Sequence, residues 1–177
     1  MEILATLKDD RYPYDGIEEV RQVARAILIN DRGEVCLHHI LGDDIFGHRD
    51  YYETPGGGAE PGETPDETVL REIREETGIE GEILCEIGEV DDDYNLIRRH
   101  NLNRYFLVRA VSYGKPKPED YELDVLADTR FYPLEEAIGL YRNMCKGDLE
   151  ILVSRRELPV LLRAAELRPD LFHRDVK

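Results

Sequence analysis

The sequence predicts an α/β layered domain built on a mixed β-sheet. Three observations predict it: alternating apolar runs rich in β-branched and aromatic residues, a capped amphipathic helix lying among them, and further helical patterns near the C-terminus. At 177 residues the chain suits one domain with a real buried core.

Taken in order, Gln22 to Asn30 places Val23, Ile27 and Ile29 at mostly alternate positions, and Asn30-Asp31-Arg32-Gly33 supplies turn chemistry. Gly33 to Ile40 resumes the strand pattern, so the two runs predict an antiparallel hairpin. Residues 41–50 read as a loop. Asp50 to Thr54 is a short extended piece stopped by Pro55, which has no ladder donor. The next element is a helix from Pro65 or Asp66 to Thr77, with Thr64 as N-cap, Pro65 at the first helical position, Glu67 at N3 and Gly78 as the stop. Residues 81–96 and 102–113 carry the composition of two longer strands. Residues 112–124, with two prolines and several charges, read as a surface loop. Residues 128–141 read as a strand end running into a helix, and Ile151 to Leu167 as a C-terminal helix broken or restarted near Pro159.

The formal net charge is −16, which repels polyphosphate backbones and disfavours binding to nucleic acid or anionic membranes. A small phosphorylated ligand remains compatible with it, because a bound divalent metal inverts the local field. No run approaches the roughly 18 to 20 apolar residues of a membrane span, and the first ten residues lack the order of a secretory signal. These features predict a soluble cytoplasmic protein. Cys36, Cys85 and Cys145 are far apart and odd in number, which predicts reduced thiols and no structural zinc site.

The chemistry concentrates between Gly56 and Ile79. At about 100° per residue, Val69, Leu70 and Ile73 share one side of the helix, while Glu72, Glu75 and Glu76 converge on a neighbouring arc. Like charges at such spacings cost an exposed helix roughly 0.2 to 0.5 kcal/mol per pair. A solvated face relieved by Arg71 would account for the charges alone. The adjacent Gly56-Gly57-Gly58 points further: read as a loop, it lets backbone approach a ligand closely, beside hard oxygen donors suited to Mg²⁺ or Mn²⁺.

Gly57, Glu63, Arg71-Glu72-Ile73, Glu75-Glu76 and Gly78-Ile79 fall at the spacing of the Nudix box, and the segment resembles that of the Nudix (MutT-like) hydrolase family at every fixed position. Tyr52-Glu53-Thr54-Pro55-Gly56 resembles the family's approach to the box, with Tyr where Trp is common. The resemblance implies an α/β/α sandwich over about residues 20–145 within a single domain of residues 1–177. It leaves the N-terminal extension and the C-terminal helical segment unexplained. It also implies a Mg²⁺- or Mn²⁺-dependent pyrophosphohydrolase acting on a nucleoside diphosphate linked to another moiety. Nucleotide sugars, dinucleotides, dinucleoside polyphosphates and nucleoside triphosphates are the classes implied. Glu75 and Glu76 become metal ligands, and Glu72 a further ligand or the group that orients or deprotonates water. The Gly56 carbonyl is a further metal contact. Arg71 and Glu63 support these carboxylates, Gly57 and Gly78 shape the segment, and Ile73 and Ile79 pack it to the sheet. Other candidates for the base are Glu119, Asp120, Glu122, Asp124 and Asp128, each also readable as a solvated charge.

Outside the box, Phe46, Tyr52 and Tyr94 are candidates to stack on a base, with packing as the alternative. Arg98, Arg99, His100 and Arg104 form the concentrated basic cluster, from which Arg98 and Arg104 are taken as phosphate contacts. His38 and His39 are adjacent on a strand, face opposite sides and read as structural or surface residues; His48 is a weaker cleft candidate. Family habit adds a homodimer in which the N-terminal segment contributes a strand. The rival to an enzyme is a ligand-binding sensor on the same fold, against which intact Glu72, Glu75 and Glu76 argue. An isomerase of isoprenoid diphosphates lacks a placeable Cys and Glu pair, and RNA 5′-end hydrolysis is weakened by the acidic balance.

Overall fold

The computed structural model describes residues 2–117, 126–144 and 147–172. Among them, eight strands join one mixed sheet: β1 (Ile3–Leu7), β2 (Glu19–Ile29), β3 (Val35–Asp44), β4 (Gly47–Glu53), β5 (Gly56–Gly58), β6 (Ile79–Tyr94), β7 (Arg99–Tyr113) and β8 (Leu126–Tyr132). The main order is β1-β6-β7-β2-β3-β4, with β5 paired to β2 and β8 to β3. The helices are α1 (Pro65–Thr77), α2 (Leu134–Asn143), α3 (Asp148–Leu167) and the short α4 (Pro169–Phe172).

Period-two alternation splits each central strand between two cores. On β2, Ile27 and Ile29 face a large cluster that includes Tyr105, Leu107, Tyr141, Val160 and Leu161. Ala24, Ala26 and Leu28 face a smaller one with Val69 and Ile73 of α1 and Phe106 and Val108 of β7. With α1 on one face of the sheet and α2 and α3 on the other, the architecture is the expected α/β/α sandwich.

The local expectations met different fates. α1 matches in both bounds: Thr64 Oγ1 accepts from Glu67 N at 3.3 Å, and Glu67 Oε2 accepts from Thr64 N at 2.8 Å, closing a capping box. Gly78 ends the helix at φ 72°, a left-handed conformation that glycine adopts without strain. The predicted antiparallel β2–β3 hairpin forms around the turn at residues 30–33, but its ladder is short, with Ile29 opposite Val35. Along its whole length β2 also runs parallel to β7, from Glu19 beside Arg99 to Ile29 beside Arg109, a pairing the local pattern did not indicate. Residues 41–50 are not a loop. They form most of the β3–β4 hairpin, paired from His38 with Glu53 to Asp44 with Gly47. The three glycines are also no loop: β5 pairs antiparallel with β2, Gly57 opposite Ala24. Helix α3 begins before Ile151 and passes through Pro159 unbroken, forfeiting one backbone donor. Both segments left unexplained by the box join the fold, since β1 pairs in parallel with β6 and α3 supplies core residues.

Candidate active site

Because the capping box fixes where α1 begins, its acidic arc is aimed at β5. Arg71 organises that arc. Its Nε donates to Glu63 Oε1 at 2.8 Å and its Nη2 to Glu63 Oε2 at 3.0 Å. Nη2 also reaches the Gly58 carbonyl at 2.9 Å, while Nη1 donates to Glu72 Oε1 at 3.0 Å and Glu75 Oε2 at 2.9 Å. A planar fork with five donors can serve several acceptors at once, which the point charge of Lys cannot. Hydrogen bonding to Arg71, reinforced by the Glu60 backbone amide, holds the Glu63 carboxyl down to about 2. The same Glu63 contact is the main reason the Arg71 guanidinium is held more firmly protonated than usual.

Glu76 is held from the sheet side. Its Oε2 accepts the Gly56 backbone N–H at 2.8 Å and lies 3.2 Å from His38 Nε2, whose Nδ1 is 2.8 Å from Thr129 Oγ1. Glu72 presses against β5 so closely that a Cβ on Gly57 would sit 2.6 Å from Glu72 Oε1. Glycine at position 57 therefore makes room for a carboxylate. The donor set suits a hard divalent cation: three helical carboxylates beside a strand backbone that carries carbonyls. Among the described residues, these side chains do not yet converge on one point. Arg71 Nη1 stands between Glu72 and Glu75, and Glu76 is turned to the backbone.

Gly56, Gly57 and Glu76 border a cavity of about 490 Å³, together with Phe46, Tyr94 and Arg99, which the sequence also singled out, and with further walls that it did not. Five arginines line it: Arg21 and Arg25 from β2, Arg49 from β4, Arg99 from β7 and Arg156 from α3. Parallel pairing sets Glu19, Arg21, Val23 and Arg25 beside Arg99, Asn101, Asn103 and Tyr105, so alternate residues of two strands present one polar wall. Arg156 is almost fully buried. It donates to Glu157 Oε1 at 2.9 Å and Glu53 Oε2 at 3.0 Å, and lies 3.4 Å from Asp92 Oδ2. Burial opposes ionisation of Glu53, but the charges of Arg25 and Arg156 outweigh it and hold the carboxyl below its ordinary range.

The structure separates the remaining candidates. Phe46 and Tyr94 border the cavity in edge-to-face contact, 5.8 Å between ring centroids. Tyr52 stacks on His39 at 4.7 Å and packs on the core, whereas its neighbour Tyr51 borders the cavity. Arg98 pairs with Glu18, and Arg104 lies on the opposite face of β7 from the Arg99 wall; neither is among the cavity's lining residues. His100 pairs with Asp93 at 2.7 Å, His48 with Asp43 at 3.1 Å, and Asp128 with Arg130. His38 and His39 do face opposite ways, but His38 is the buried partner of Glu76 rather than a surface residue. Its alternation with Cys36 on the α1 face was the available signal. Cys36 and Cys85 are free thiols, burial pushing both up. Glu119, Asp120, Glu122, Asp124 and Cys145 lie outside the described residues.

Comparison with known proteins adds independent findings. The family model described as NUDIX domain matches residues 20–153. A candidate mutator protein, MutT4, of Mycobacterium tuberculosis is 34% identical over 89 residues, 48% of this chain and 34% of that protein; the chain thus spans about a third of that relative. An RNA pyrophosphohydrolase of Pseudomonas fluorescens is 26% identical over 151 residues, 73% of this chain and 89% of that one. The solution structure of the Escherichia coli ORF135 protein superposes with a TM-score of 0.60 at 19% identity, covering 86% of this chain and 93% of that one, a likeness of fold.

Proposed function

The chain belongs to the NUDIX family, and on that premise we propose that this hydrolase of phosphoric anhydride bonds is a Mg²⁺- or Mn²⁺-dependent pyrophosphohydrolase. Its substrate is a nucleoside diphosphate linked to another moiety, within the range of nucleotide sugars, dinucleotides, dinucleoside polyphosphates and nucleoside triphosphates. The observation that carries this reading is the arginine-lined cavity meeting Gly56, Gly57 and Glu76 at one end, in a chain whose net charge is −16. Guanidinium groups are the natural partners of phosphate oxygens.

Glu72, Glu75 and Glu76, with the Gly56 carbonyl, are the residues that would hold the cation. When bound, a divalent ion neutralises phosphate charge and lowers the pKa of a coordinated water. The protein's own groups do the rest. Arg71 keeps Glu72 and Glu75 together against their repulsion, and Glu63 anchors Arg71 from behind. His38 and the Gly56 amide fix one oxygen of Glu76, a residue that borders the cavity. Glu72 is the first candidate to orient or deprotonate the attacking water. Arginines of the cavity wall hold the phosphates in line. Residues 1–177 act in this reading as a single domain, since β1 and α3 complete its sheet and core.

The test is release of phosphate-containing products from a panel of nucleotide sugars, dinucleotides, dinucleoside polyphosphates, nucleoside triphosphates and 5′-triphosphorylated RNA. Turnover is expected only with Mg²⁺ or Mn²⁺ supplied. Wild-type turnover by Glu76→Gln would refute the ligand assignment, and tight binding without turnover on any member would favour a sensor.

A further inference from the structure

A side lobe of about 120 Å³ opens beside the main cavity and shares with it the side chains of Arg21, Arg25, Arg99 and Arg156. Asn101 and Asn103 complete its polar wall, and no carboxylate lines it. Gly56, Gly57 and Glu76 border the main cavity and not the lobe. We infer that the lobe is a second anion subsite, which binds a phosphate group of the substrate other than the two joined by the scissile bond. This deepens the proposed function and rests on the cavity being the substrate site.

The wall is built for an anion. Asp92 is fully buried behind it, accepting from Asn101 Nδ2 at 2.8 Å and Asn103 Nδ2 at 3.1 Å and lying 3.4 Å from Arg156 Nη1. That carboxylate fixes three wall residues and, with Glu53, offsets part of the positive charge of Arg25 and Arg156, leaving the side-chain amides and Arg21 and Arg99 to face an anion. Arg25 Nε is buried with no hydrogen-bond partner, a donor that ordinary packing would satisfy. Arg21 lies flat on β5, where a Cβ at Gly58 would stand 2.5 Å from its Nε. It thereby spans the distance from the box strand to the lobe. Arg99 reaches the rim, held by Glu19 at 2.8 Å on its solvent side, an exchangeable pairing. At about 120 Å³ the lobe has room for one phosphate group.

A phosphate beyond the scissile pair reaches such a lobe in either of two ways: as an extension of the phosphate chain, or as a phosphomonoester on a sugar. Isothermal titration of the purified chain in EDTA separates them with ATP against ADP and adenosine 3′,5′-bisphosphate against AMP. We expect the phosphate-richer member of at least one pair to bind about tenfold more tightly, with Arg99→Gln and Arg21→Gln each cutting that preference at least about threefold. Which pair responds identifies the source. Equal affinities within both pairs would overturn the inference, as would variants that weaken both members alike. Circular dichroism melts of the variants guard against misfolding, and Arg99→Gln changes only a rim residue. Because the titration needs neither metal nor turnover, preference without hydrolysis of any panel member would sink the hydrolytic substrate reading and leave the subsite standing.

Discussion

Thr54 Oγ1 donates a 2.7 Å hydrogen bond to Glu157 Oε2, tying the approach to β5 to the C-terminal helix α3. Glu157 is fully buried and also accepts from Tyr105 at 3.0 Å and Arg156 at 2.9 Å. Removing one partner of a buried charged network strands the others. Glu157→Ala is expected to destabilise the fold by about 3 to 5 kcal/mol, and Glu157→Gln by less. Urea unfolding monitored by circular dichroism gives the comparison, and an unchanged midpoint for Glu157→Ala would count against this role.

Two neighbouring glycines are expected to fail in different ways. Gly56 has φ 140°, and a Cβ there would collide with the backbone carbonyl of Ala24, so Gly56→Ala should cost stability, on the order of 1 to 3 kcal/mol or more. At Gly57 the obstacle is the end of the flexible Glu72 side chain, 2.6 Å away. Gly57→Ala should melt close to wild type while losing most turnover. Melting temperatures and kcat measured together separate the two effects; a Gly57→Ala enzyme with full kcat would show that the position of Glu72 is immaterial.

Arg71→Lys is expected to lower turnover nearly as far as Arg71→Ala, roughly 10- to 100-fold, because Lys cannot serve Glu63, Glu72, Glu75 and the Gly58 carbonyl together. Steady-state kinetics on the best panel substrate decide it. Full rescue by Lys would reduce the role of Arg71 to simple charge.

Acid titration should expose Glu63. Its folded-state value of about 2 lies below the ordinary 4.5, so its ionised form stabilises the folded state. That contribution is present in full above the unfolded value and disappears as pH falls from about 5 towards 2. Glu63→Gln lacks it throughout, so the gap between wild-type and variant melting temperatures should shrink over that window. A gap independent of pH would mean that the pairing with Arg71 adds no net stability.

Legibility followed the range of the determining interactions. Helix α1 was read to within a residue because Thr64, Glu67 and Gly78 act within one or two turns of the backbone they cap. Strand composition located β2, β6 and β7, and turn chemistry at residues 30–33 indicated the antiparallel partner β3 but not the longer parallel pairing of β2 with β7, which is remote in sequence. Residues 41–50 looked like a loop because Gly42, Asp43 and Asp44 are poor strand formers; pairing with β4 overrides that preference. The basic run from Arg98 to Arg104 looked like one patch, yet Arg98 turns to Glu18 at a left-handed position and alternation along β7 sends Arg99 and Arg104 to opposite faces.

By itself, the sequence determined the α/β class, the capped acidic helix and the family to which its spacing points, since each depends on residues close together along the chain. Tertiary structure alone decided that Arg21, Arg25, Arg49, Arg99 and Arg156 share a cavity and that His38 meets Glu76. Those groups lie on six different elements, brought together by strand pairing and by the docking of the helices. No local pattern records a contact whose cost in chain entropy is offset only when the whole core closes.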